Sequence, residues 1–549
     1  MGYKETYEDW LTWADTKTRE ELLLLKDEKD IEDRFYKDLE FGTAGLRGIM
    51  GAGTNRMNRY TVARASKGFS DYLKALFPDE LERGVVIAYD SRNHSREFAE
   101  EAAGVLTSAG IPVRIFKELE PIPVLSFSVK YFKALGGIVI TASHNPPEYN
   151  GYKVYGPDGG QLVPEKADML TEYVERVTRL DGIEDRGNEK LLTWLDQNQV
   201  QLFLDRIFKE SYFKGNPPPL SIVYTPLHGS GNKPVREILE KAGFHSVTVV
   251  KEQEEPDGDF PTVASPNPEN EDALSLGIRL GEEKKADIII GTDPDSDRIG
   301  AAVREGDHFI LISGNQMGAL LTNFILSTRK ERVNPASTMV KTVVTGELGG
   351  EIARSFGVKV VETLTGFKYI GEKISEWEKD SDHQFVLGYE ESYGYLVGTH
   401  AQDKDAVVAA MVICEMAAYF KAKGKTLIDV LNDLYGKYGF YYDKTVSYTR
   451  KGMEGQKEIA SIMEGVRTMD VRKLFPHISE IMDFKKGIGN LSRENVMKFV
   501  LKEGGWMAIR PSGTEPKIKF YYSLRGKDRK EGEELFRKYK SVWEKEFNL

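Results

Sequence analysis

Short apolar runs rich in β-branched residues alternate along the chain with segments in which apolar residues recur at helical spacing. The first pattern is typical of buried strands and the second of helices that pack on one face. Because the two alternate over most of the sequence, they predict α/β layering with parallel or mixed sheets. The predicted helices are 61–77, 96–109, 405–423 and 532–547, and the predicted strands are 84–90, 137–142, 220–226, 286–292, 338–344, 385–389 and 518–524.

The pattern breaks at 214–221, 305–309 and 435–443, where Pro, Gly and polar residues replace it. A chain of 549 residues is also several times the usual domain length. We therefore predict four domains: 1–205, which includes an N-terminal helical extension, then 206–308, 309–436 and 437–549.

Composition narrows the class of protein. The longest apolar run, Ala406 to Cys414, is too short to span a membrane. The acidic N-terminal segment lacks the basic region and apolar core of a signal peptide. The single cysteine, Cys414, excludes an internal disulfide, suits a reducing compartment and lies in an apolar helical stretch that places it in a core. We predict a soluble, cytoplasmic protein.

Charge narrows the class of ligand. The net charge is −11, and Lys and Arg are spread along the chain rather than grouped. This distribution argues against nucleic acid and anionic membranes as partners. We expect a small-molecule ligand and a monomer or weak homo-oligomer, and an anionic ligand would need local positive contacts.

The predicted strand 137–142 ends in Ser143, His144 and Asn145, followed by two prolines. A serine nucleophile needs neighbours that manage its proton and charge, and His144 and Asn145 are groups of that kind. A strand-ending turn in which Ser and Asn bond the backbone explains the same residues. No G-x-S-x-G sequence surrounds the serine, which argues against an α/β-hydrolase.

Asp293, Asp295 and Asp297 follow the predicted strand 286–292. Held about 4 Å apart at an effective dielectric of about 20, each pair would repel by about 4 kcal/mol, and a divalent cation removes that repulsion. Oxygen ligands favour Mg²⁺ over zinc. An EF-hand is excluded because its sixth and twelfth positions would be Arg298 and Arg304. A solvated acidic loop remains the alternative.

Three further segments carry candidate ligand contacts. Residues 510–517, RPSGTEPK, combine an arginine, two hydroxyls, a glycine and a lysine, which can hold a phosphate without a Walker A sequence. Residues 388–394 and the preceding 365–368 offer acceptors and a hydroxyl of the kind that sugar hydroxyls need, and the glycine-rich 41–51 contains Arg47. Ordinary turns explain each segment taken alone. A dinucleotide-binding fingerprint is absent, so a nicotinamide cofactor has no support.

Taken together and in this order, these motifs resemble the α-D-phosphohexomutase superfamily over about residues 41–522. TPLHGSG (225–231) and GYEESYGY (388–395) are most similar to its phosphoglucomutase group, which also contains phosphopentomutase and sugar-bisphosphate synthase relatives. The resemblance implies a heart-shaped, four-domain enzyme with three similar α/β mixed-sheet domains and a smaller C-terminal α+β domain.

The resemblance also implies site roles. Ser143 would carry a phosphoryl group, and one Mg²⁺ per chain would bind Ser143, Asp293, Asp295 and Asp297. The phosphoserine loop falls in the first domain, the metal loop in the second, the sugar-binding loop in the third and the phosphate-binding loop in the fourth. The implied catalytic residues are Ser143, His144, Arg47 and Lys153. The implied substrate contacts are Thr365, Gly366, Glu390, Ser392, Lys404, Arg510, Ser512, Gly513 and Thr514.

The implied reaction interconverts α-D-glucose 1-phosphate and glucose 6-phosphate, with glucose 1,6-bisphosphate as intermediate and activator. Members that act on mannose often carry G-E-x-S-G-H, whereas this chain reads EESYG at 390–394 and lacks the histidine of that motif. This favours glucose and leaves His144, Lys153 and Lys404 as alternatives for the general base. Phosphomannomutase, phosphopentomutase and sugar-bisphosphate synthase activities remain alternatives, as do a Mg²⁺-dependent sugar-phosphate phosphatase and a non-catalytic binder.

Overall fold

The structure is a computed structural model that describes residues 2–42, 45–378, 382–450, 452–489, 491–512 and 517–549. The chain forms two compact units. The first unit comprises Met1–Ile312, Ile370–Asp380 and Tyr393–Ala422, and the second comprises Ser313–Tyr369, Ser381–Ser392 and Lys423–Leu549.

A mixed sheet of six strands forms the N-terminal part of the first unit. Gly136–Ile140, Val85–Tyr89, Val113–Phe116 and Leu192–Leu195 are parallel, while Tyr149–Tyr155 is antiparallel to both of its neighbours. All five residues of Gly136–Ile140 are buried, as their apolar sequence predicts. The strand order is Leu46–Ile49, Tyr149–Tyr155, Gly136–Ile140, Val85–Tyr89, Val113–Phe116 and Leu192–Leu195.

A second mixed sheet in the same unit repeats this plan with five strands. Its order is His308–Ile312, Ile299–Glu305, Ile288–Thr292, Ile222–Thr225 and Val247–Val249. The last three strands are parallel, and Ile299–Glu305 is antiparallel to both of its neighbours. In each sheet a fully buried strand is therefore followed by a polar loop, and the next strand runs antiparallel to it. The two loops, 141–148 and 293–298, contain the serine and the three aspartates singled out above.

Helices cover these sheets with their apolar faces. Phe69 and Leu106 pack in one core with Ile87 and Ile138 of the first sheet. Trp10 lies edge-on to Phe35 and Tyr60 and fixes the helices of the N-terminal extension. The helices of the first unit are Tyr3–Trp13, Thr16–Leu23, Glu28–Phe35, Arg59–Leu76, Ser95–Ser108, Ile122–Phe132, Pro164–Glu175, Gln197–Ile207, Asn232–Lys241, Glu271–Lys284 and Ala406–Lys421.

The second unit begins with parallel strands. Ser337–Thr342 lies between Lys359–Thr363 and Gln384–Glu390 and is parallel to both, so the carboxyl ends of all three strands lie at one edge. The helices that accompany them are Gly314–Thr328, Glu347–Ser355 and Leu427–Tyr438, and Phe367–Trp377 begins in this unit.

The C-terminal part of the second unit is an antiparallel sheet with helices, which agrees with the α+β domain that the resemblance implies. Trp543 packs against Phe475, Phe499 and Phe520 at the centre of its core. The strand order is Phe440–Thr449, Lys517–Gly526, Gly505–Pro511, Met497–Leu501 and Ile478–Asp483. The helices are Gly452–Thr468, Val471–Leu474 and Arg529–Phe547.

The helices and strands predicted from the sequence are all present, with ends that differ by a few residues. The differences follow from capping. The first long helix begins at Arg59 because the Asn58 side chain accepts hydrogen bonds from the backbone N–H groups of Tyr60 and Thr61. The C-terminal helix begins at Arg529 because Asp528 caps it in the same way. Cys414 is buried, as predicted.

Two further observations bear on the sequence predictions. Among the residues that the structure describes, no helix is both long and apolar enough to cross a membrane. Residues 305–309 join Ile299–Glu305 to His308–Ile312 within the second sheet, so the latter strand straddles the predicted domain boundary at 308. The boundaries remain predictions.

Candidate active site

Two loops of the first unit are in contact: the serine loop, residues 141–148, and the aspartate loop, residues 293–298. Ser143 Oγ donates a hydrogen bond to Asp293 Oδ2 at 2.9 Å. Thr141 links the same loops a second time, because its hydroxyl accepts from Ser143 N at 2.8 Å and donates to Asp295 Oδ2 at 3.0 Å. Each loop follows the carboxyl end of a strand that has a parallel neighbour in its own sheet. Ligands bind beyond these strand ends in α/β proteins.

Ser143 has an unusual backbone conformation. Its φ is 51°, in the left-handed region that L-residues other than Asn and Asp rarely adopt, and the side chain is buried. Ser296 in the aspartate loop has the same φ of 51°. Such conformations persist where surrounding contacts hold them, and they cluster at functional sites. In the serine loop, the turn directs Oγ towards Asp293.

The three aspartates form a buried cluster in which ligand oxygens lie within 4.8 Å of one another. Asp295 Oδ1 and Asp297 Oδ1 are buried and make no hydrogen bond within the part of the chain that the structure describes. Burial and the Asp295 and Asp297 carboxylates raise the pKa of Asp293 well above its ordinary value. Clustered carboxylates with unsatisfied oxygens fit a hard divalent cation such as Mg²⁺.

Two lysines contact the cluster. Lys153 Nζ lies 3.0 Å from Asp295 Oδ2 and 3.8 Å from Asp297 Oδ2. Burial disfavours ionisation of Asp295, but Lys153, together with the Asp293 side chain and Lys404, outweighs this effect and holds the pKa of the Asp295 carboxyl below its ordinary value. Lys404 Nζ lies 3.1 Å from Asp297 Oδ2 and 3.1 Å from Asp403 Oδ1. These ammonium groups place positive charge where an anionic ligand of the metal would lie.

His144 and Arg47 lie beside the serine. His144 Nδ1 is 3.2 Å from Ser143 Oγ, and Arg47 Nη1 donates to Asn145 Oδ1 at 3.4 Å. Desolvation of the His144 ring, aided by the guanidinium groups of Arg298 and Arg47, lowers its pKa well below the ordinary value. The imidazole is therefore neutral at neutral pH.

The TPLHGSG segment, which the sequence analysis used only for resemblance, supports the aspartate loop. Ser230 donates two hydrogen bonds to Pro294 O, one from its backbone N–H and one from its hydroxyl, both at 2.8 Å. Gly229 packs directly against Pro294. A Cβ added at Gly229 would lie 2.5 Å from Pro294 Cα and 2.8 Å from Pro294 O. These contacts fix the backbone between Asp293 and Asp295.

We expect Gly229→Ala to lower the affinity of the metal-free protein for Mn²⁺ by about 10- to 100-fold, the usual effect of disturbing groups that orient metal ligands. The cause is the clash with the Pro294 backbone, which must move and carry the neighbouring carboxylates with it. Titration followed by electron paramagnetic resonance measures the affinity. Gly436→Ala is the control, because a Cβ there meets nothing within 4 Å. Equal affinities for both variants would contradict the supporting role.

Sequence reasoning also missed Arg92, which follows the strand Val85–Tyr89 and contacts the serine loop. A signal for it existed. The segment Asp90-Ser91-Arg92 is a polar loop that directly follows a buried strand, which is the pattern that drew attention to the other loops. Thr141 lay within the predicted strand 137–142 without a role.

In the second unit, the carboxyl ends of the parallel strands bring another predicted group together. Gly366 N donates to Glu390 Oε1 at 2.8 Å, and Gly366 has a φ of 119° that favours glycine. Thr365 Oγ1 is buried and makes no hydrogen bond among the described residues. Glu391 accepts from Thr345 Oγ1 at 3.0 Å, and Ser392 is half-buried. This edge presents acceptors and a hydroxyl.

Arg510 is the last residue but one of the strand Gly505–Pro511 in the C-terminal sheet of the same unit. Burial lowers the pKa of its guanidinium, but Tyr521, Glu494 and Glu391 outweigh this effect and leave the pKa raised. Arg510 therefore belongs to the same electrostatic cluster as Glu391. Ser512 N donates to Lys517 O at 2.8 Å. The predicted contacts Gly513 and Thr514 lie outside the described residues.

Models of one family match the chain in order. Those described as phosphoglucomutase/phosphomannomutase alpha/beta/alpha domains I, II and III match residues 38–181, 201–306 and 313–438. The model of the C-terminal domain matches residues 458–537. These matches confirm the predicted four-domain architecture.

Known proteins are similar over nearly the whole chain. A curated phosphoglucomutase of Staphylococcus saprophyticus is 37% identical over 507 residues, which are 88% of this chain and 90% of the relative. The solved structure of pp63/parafusin, a phosphoglucomutase from Paramecium, has a TM-score of 0.71 at 18% identity and covers 93% of this chain and 95% of its own. N-acetylphosphoglucosamine mutase from Aspergillus fumigatus, solved with GlcNAc-6P and magnesium, has a TM-score of 0.50 at 15% identity and covers 99% of both chains.

The solved structures, at these identities, establish the fold alone. The ordered domain matches and the curated relative go further, because each extends over most of the sequence. Both agree with the resemblance read from the motifs. The chain belongs to the phosphoglucomutase/phosphomannomutase family.

Proposed function

We propose that this enzyme is a phosphoglucomutase, which interconverts α-D-glucose 1-phosphate and glucose 6-phosphate through phospho-Ser143 and glucose 1,6-bisphosphate. The observation that carries the proposal is the 2.9 Å hydrogen bond between Ser143 Oγ and Asp293 in the buried aspartate cluster. It puts a hydroxyl nucleophile beside a site suited to a divalent cation. The name of the staphylococcal relative supports glucose as the sugar.

The metal in the proposal is one Mg²⁺ per chain, held by Asp293, Asp295 and Asp297 with Ser143. The unsatisfied oxygens of Asp295 and Asp297 support it, as does the magnesium in the Aspergillus mutase structure. When bound, the ion would supply positive charge to the oxygens of a transferring phosphoryl group.

The residues around the cluster then have distinct proposed roles. Ser143 Oγ gives its phosphoryl group to a sugar hydroxyl and later takes one back. His144 Nδ1, 3.2 Å from that oxygen, is placed to exchange the Ser143 proton. Lys153, Lys404 and Arg47 neutralise phosphoryl oxygens, which is how proteins contribute most to this class of reaction.

The residues of the predicted phosphate-binding and sugar-binding motifs have proposed roles of their own. Arg510 and Ser512, with Gly513 and Thr514, bind the phosphate that is not reacting. Thr365, Gly366, Glu390 and Ser392 bind sugar hydroxyls. Because the bisphosphate must react at either end, the phosphate-binding loop has to accept both orientations of the sugar. Its contacts are therefore to the phosphate, which both orientations share.

A turnover assay on a panel of sugar phosphates tests the proposal. We expect glucose 1-phosphate to be converted faster than the 1-phosphates of mannose, glucosamine and ribose. Conversion should require priming by glucose 1,6-bisphosphate and release no inorganic phosphate. Release of phosphate would identify a phosphatase instead. If glucose 1,6-bisphosphate adds no phosphoryl group to the dephosphorylated protein in intact-mass measurements, the proposal is wrong, and the absence of any turnover would then identify a binder.

A further inference from the structure

The backbone of the serine loop converges on one buried guanidinium. Arg92 Nη1 donates to Pro146 O at 2.9 Å and to Tyr149 O at 3.0 Å. Its Nη2 donates to Ser143 O at 2.6 Å and also to Asn145 O. Arg92 is only 3% exposed, so no solvent replaces these bonds. A single side chain therefore binds carbonyl groups along most of the loop that carries Ser143.

The guanidinium is itself held on its other sides. Asp90 Oδ2 lies 3.5 Å from Arg92 Nε, and the Phe260 ring lies 4.9 Å below the guanidinium carbon. Asp90 Oδ1 accepts from Arg92 N at 2.9 Å and from the Ser95 hydroxyl at 2.7 Å. A planar fork fixed in this way sets both the distance and the direction of the carbonyl groups that it binds.

The positions of these carbonyl groups determine the backbone conformation of the turn at Ser143. Ser143 has a φ of 51°, a conformation that costs a serine free energy and that other contacts must stabilise. The Ser143 carbonyl accepts from Arg92, while the Ser143 N–H donates to Thr141 Oγ1, so the peptide groups on both sides of the residue are fixed. Oγ then has one direction, towards Asp293.

We propose that Arg92 is a positioning residue for phosphoryl transfer, which holds the serine loop in the left-handed turn that aims Ser143 Oγ at the reacting phosphorus. The inference rests on the proposed function. In the step concerned, Ser143 Oγ forms a bond to phosphorus of glucose 1,6-bisphosphate, the P–O bond to the sugar breaks, and the Ser143 proton ends on the sugar oxygen. Arg92 touches neither the sugar nor the phosphorus in this step.

The test is the single-turnover rate at which glucose 1,6-bisphosphate phosphorylates the dephosphorylated enzyme, followed by intact mass. Arg92→Lys keeps the charge but cannot bind several carbonyls in a plane. We expect it to slow phosphorylation about 100-fold, the effect of roughly 1 Å of misplacement. The affinity for Mn²⁺ should fall far less than the rate, because three of the four proposed ligands, Asp293, Asp295 and Asp297, lie on another loop.

Arg304→Lys is the matched control. Arg304 also binds backbone carbonyls, Ala286 O at 2.6 Å and Gly281 O at 2.9 Å, and its guanidinium lies 4.6 Å from the Phe309 ring. Arg304 is remote in sequence from the serine loop. The Arg304→Lys variant should therefore be phosphorylated at the wild-type rate. If Arg92→Lys does not fold, Asp90→Asn provides the second variant, because it weakens the support of Arg92 and should slow phosphorylation to a smaller extent.

Four outcomes would overturn the inference. Phosphorylation of Arg92→Lys, or of Asp90→Asn where only that variant folds, at the wild-type rate would show that the guanidinium does not position Ser143. Equal slowing in Arg304→Lys, or a parallel loss of Mn²⁺ affinity, would show a general loss of structure instead. If the wild-type protein itself takes up no phosphoryl group, the proposed function fails and the inference fails with it, which is a distinct result.

Discussion

Ser143→Ala abolishes turnover while the protein stays folded. The substitution removes the proposed nucleophile, and loss of a nucleophile costs enzymes about 10⁴-fold or more in kcat. Ser143 is small, and its hydroxyl makes one hydrogen bond to a carboxylate, to Asp293, so the free energy of unfolding should fall by only about 1–3 kcal/mol. A coupled assay for glucose 6-phosphate measures turnover, and circular dichroism with thermal unfolding measures the fold.

Ser70→Ala is the control for this result. Ser70 is fully buried in the helix Arg59–Leu76, and its hydroxyl makes no hydrogen bond among the described residues. The same atom is therefore removed from a buried serine without a chemical role, and turnover should be unchanged. Near-native turnover of Ser143→Ala would show that another group carries the phosphoryl group.

Asp293→Asn and Asp295→Asn should both abolish metal-dependent turnover but change stability in opposite directions. Asp293 is repelled by two buried carboxylates whose ligand oxygens lie within 4.8 Å, and at that upper limit and an effective dielectric of about 20 each pair costs about 3 kcal/mol. Neutralising it should stabilise the metal-free protein by about 1 kcal/mol or more, since the lysines offset part of the repulsion. The amide oxygen of an asparagine can still accept from the Arg298 backbone N–H, and its NH₂ group can donate to Ser143 Oγ, which reverses the direction of that bond.

Asp295 differs from Asp293 because its negative charge is paired with the positive charge of Lys153. The carboxylate accepts from Thr141 and from Lys153, each at 3.0 Å, and its loss leaves the buried Lys153 short of its nearest counter-charge. Breaking a buried ion pair costs about 3–5 kcal/mol, so Asp295→Asn should destabilise the metal-free protein by up to that amount. Chemical denaturation of the metal-free proteins measures both changes, and calorimetric titration with Mn²⁺ measures the loss of binding. Shifts of the same sign, or unchanged Mn²⁺ affinity, would contradict the account.

The metal cluster could be predicted from the sequence in some detail. Three carboxylates at alternate positions after a buried strand conflict electrostatically unless a cation joins them, and this conflict is local to one loop. The structure adds which oxygens are left unsatisfied, Asp295 Oδ1 and Asp297 Oδ1. It also adds that Lys153, from another sheet, reaches this loop. The order of motifs was enough for the family, which the domain matches confirm.

The contacts of residues that act through backbone atoms could not be predicted in the same way, although Arg92 itself lies in a polar loop that follows a buried strand. Arg92 and Ser230 bind carbonyl oxygens, which every residue has, so neither leaves a recognisable mark on the sequence of the loop that it supports. The left-handed turn at Ser143 could not be predicted from the sequence either, because serine rarely adopts a positive φ.

The sequence by itself determined the alternation of strands and helices, the chemistry at the ends of the buried strands, and the family. These depend on periodicity and on residue types within short segments, where local physics dominates. Only the tertiary structure decided that Ser143 meets Asp293, that Lys153 and Lys404 flank the aspartates, and that one guanidinium holds the serine loop. These contacts join segments far apart in the chain, and their distances follow from how the sheets and loops pack rather than from any local pattern.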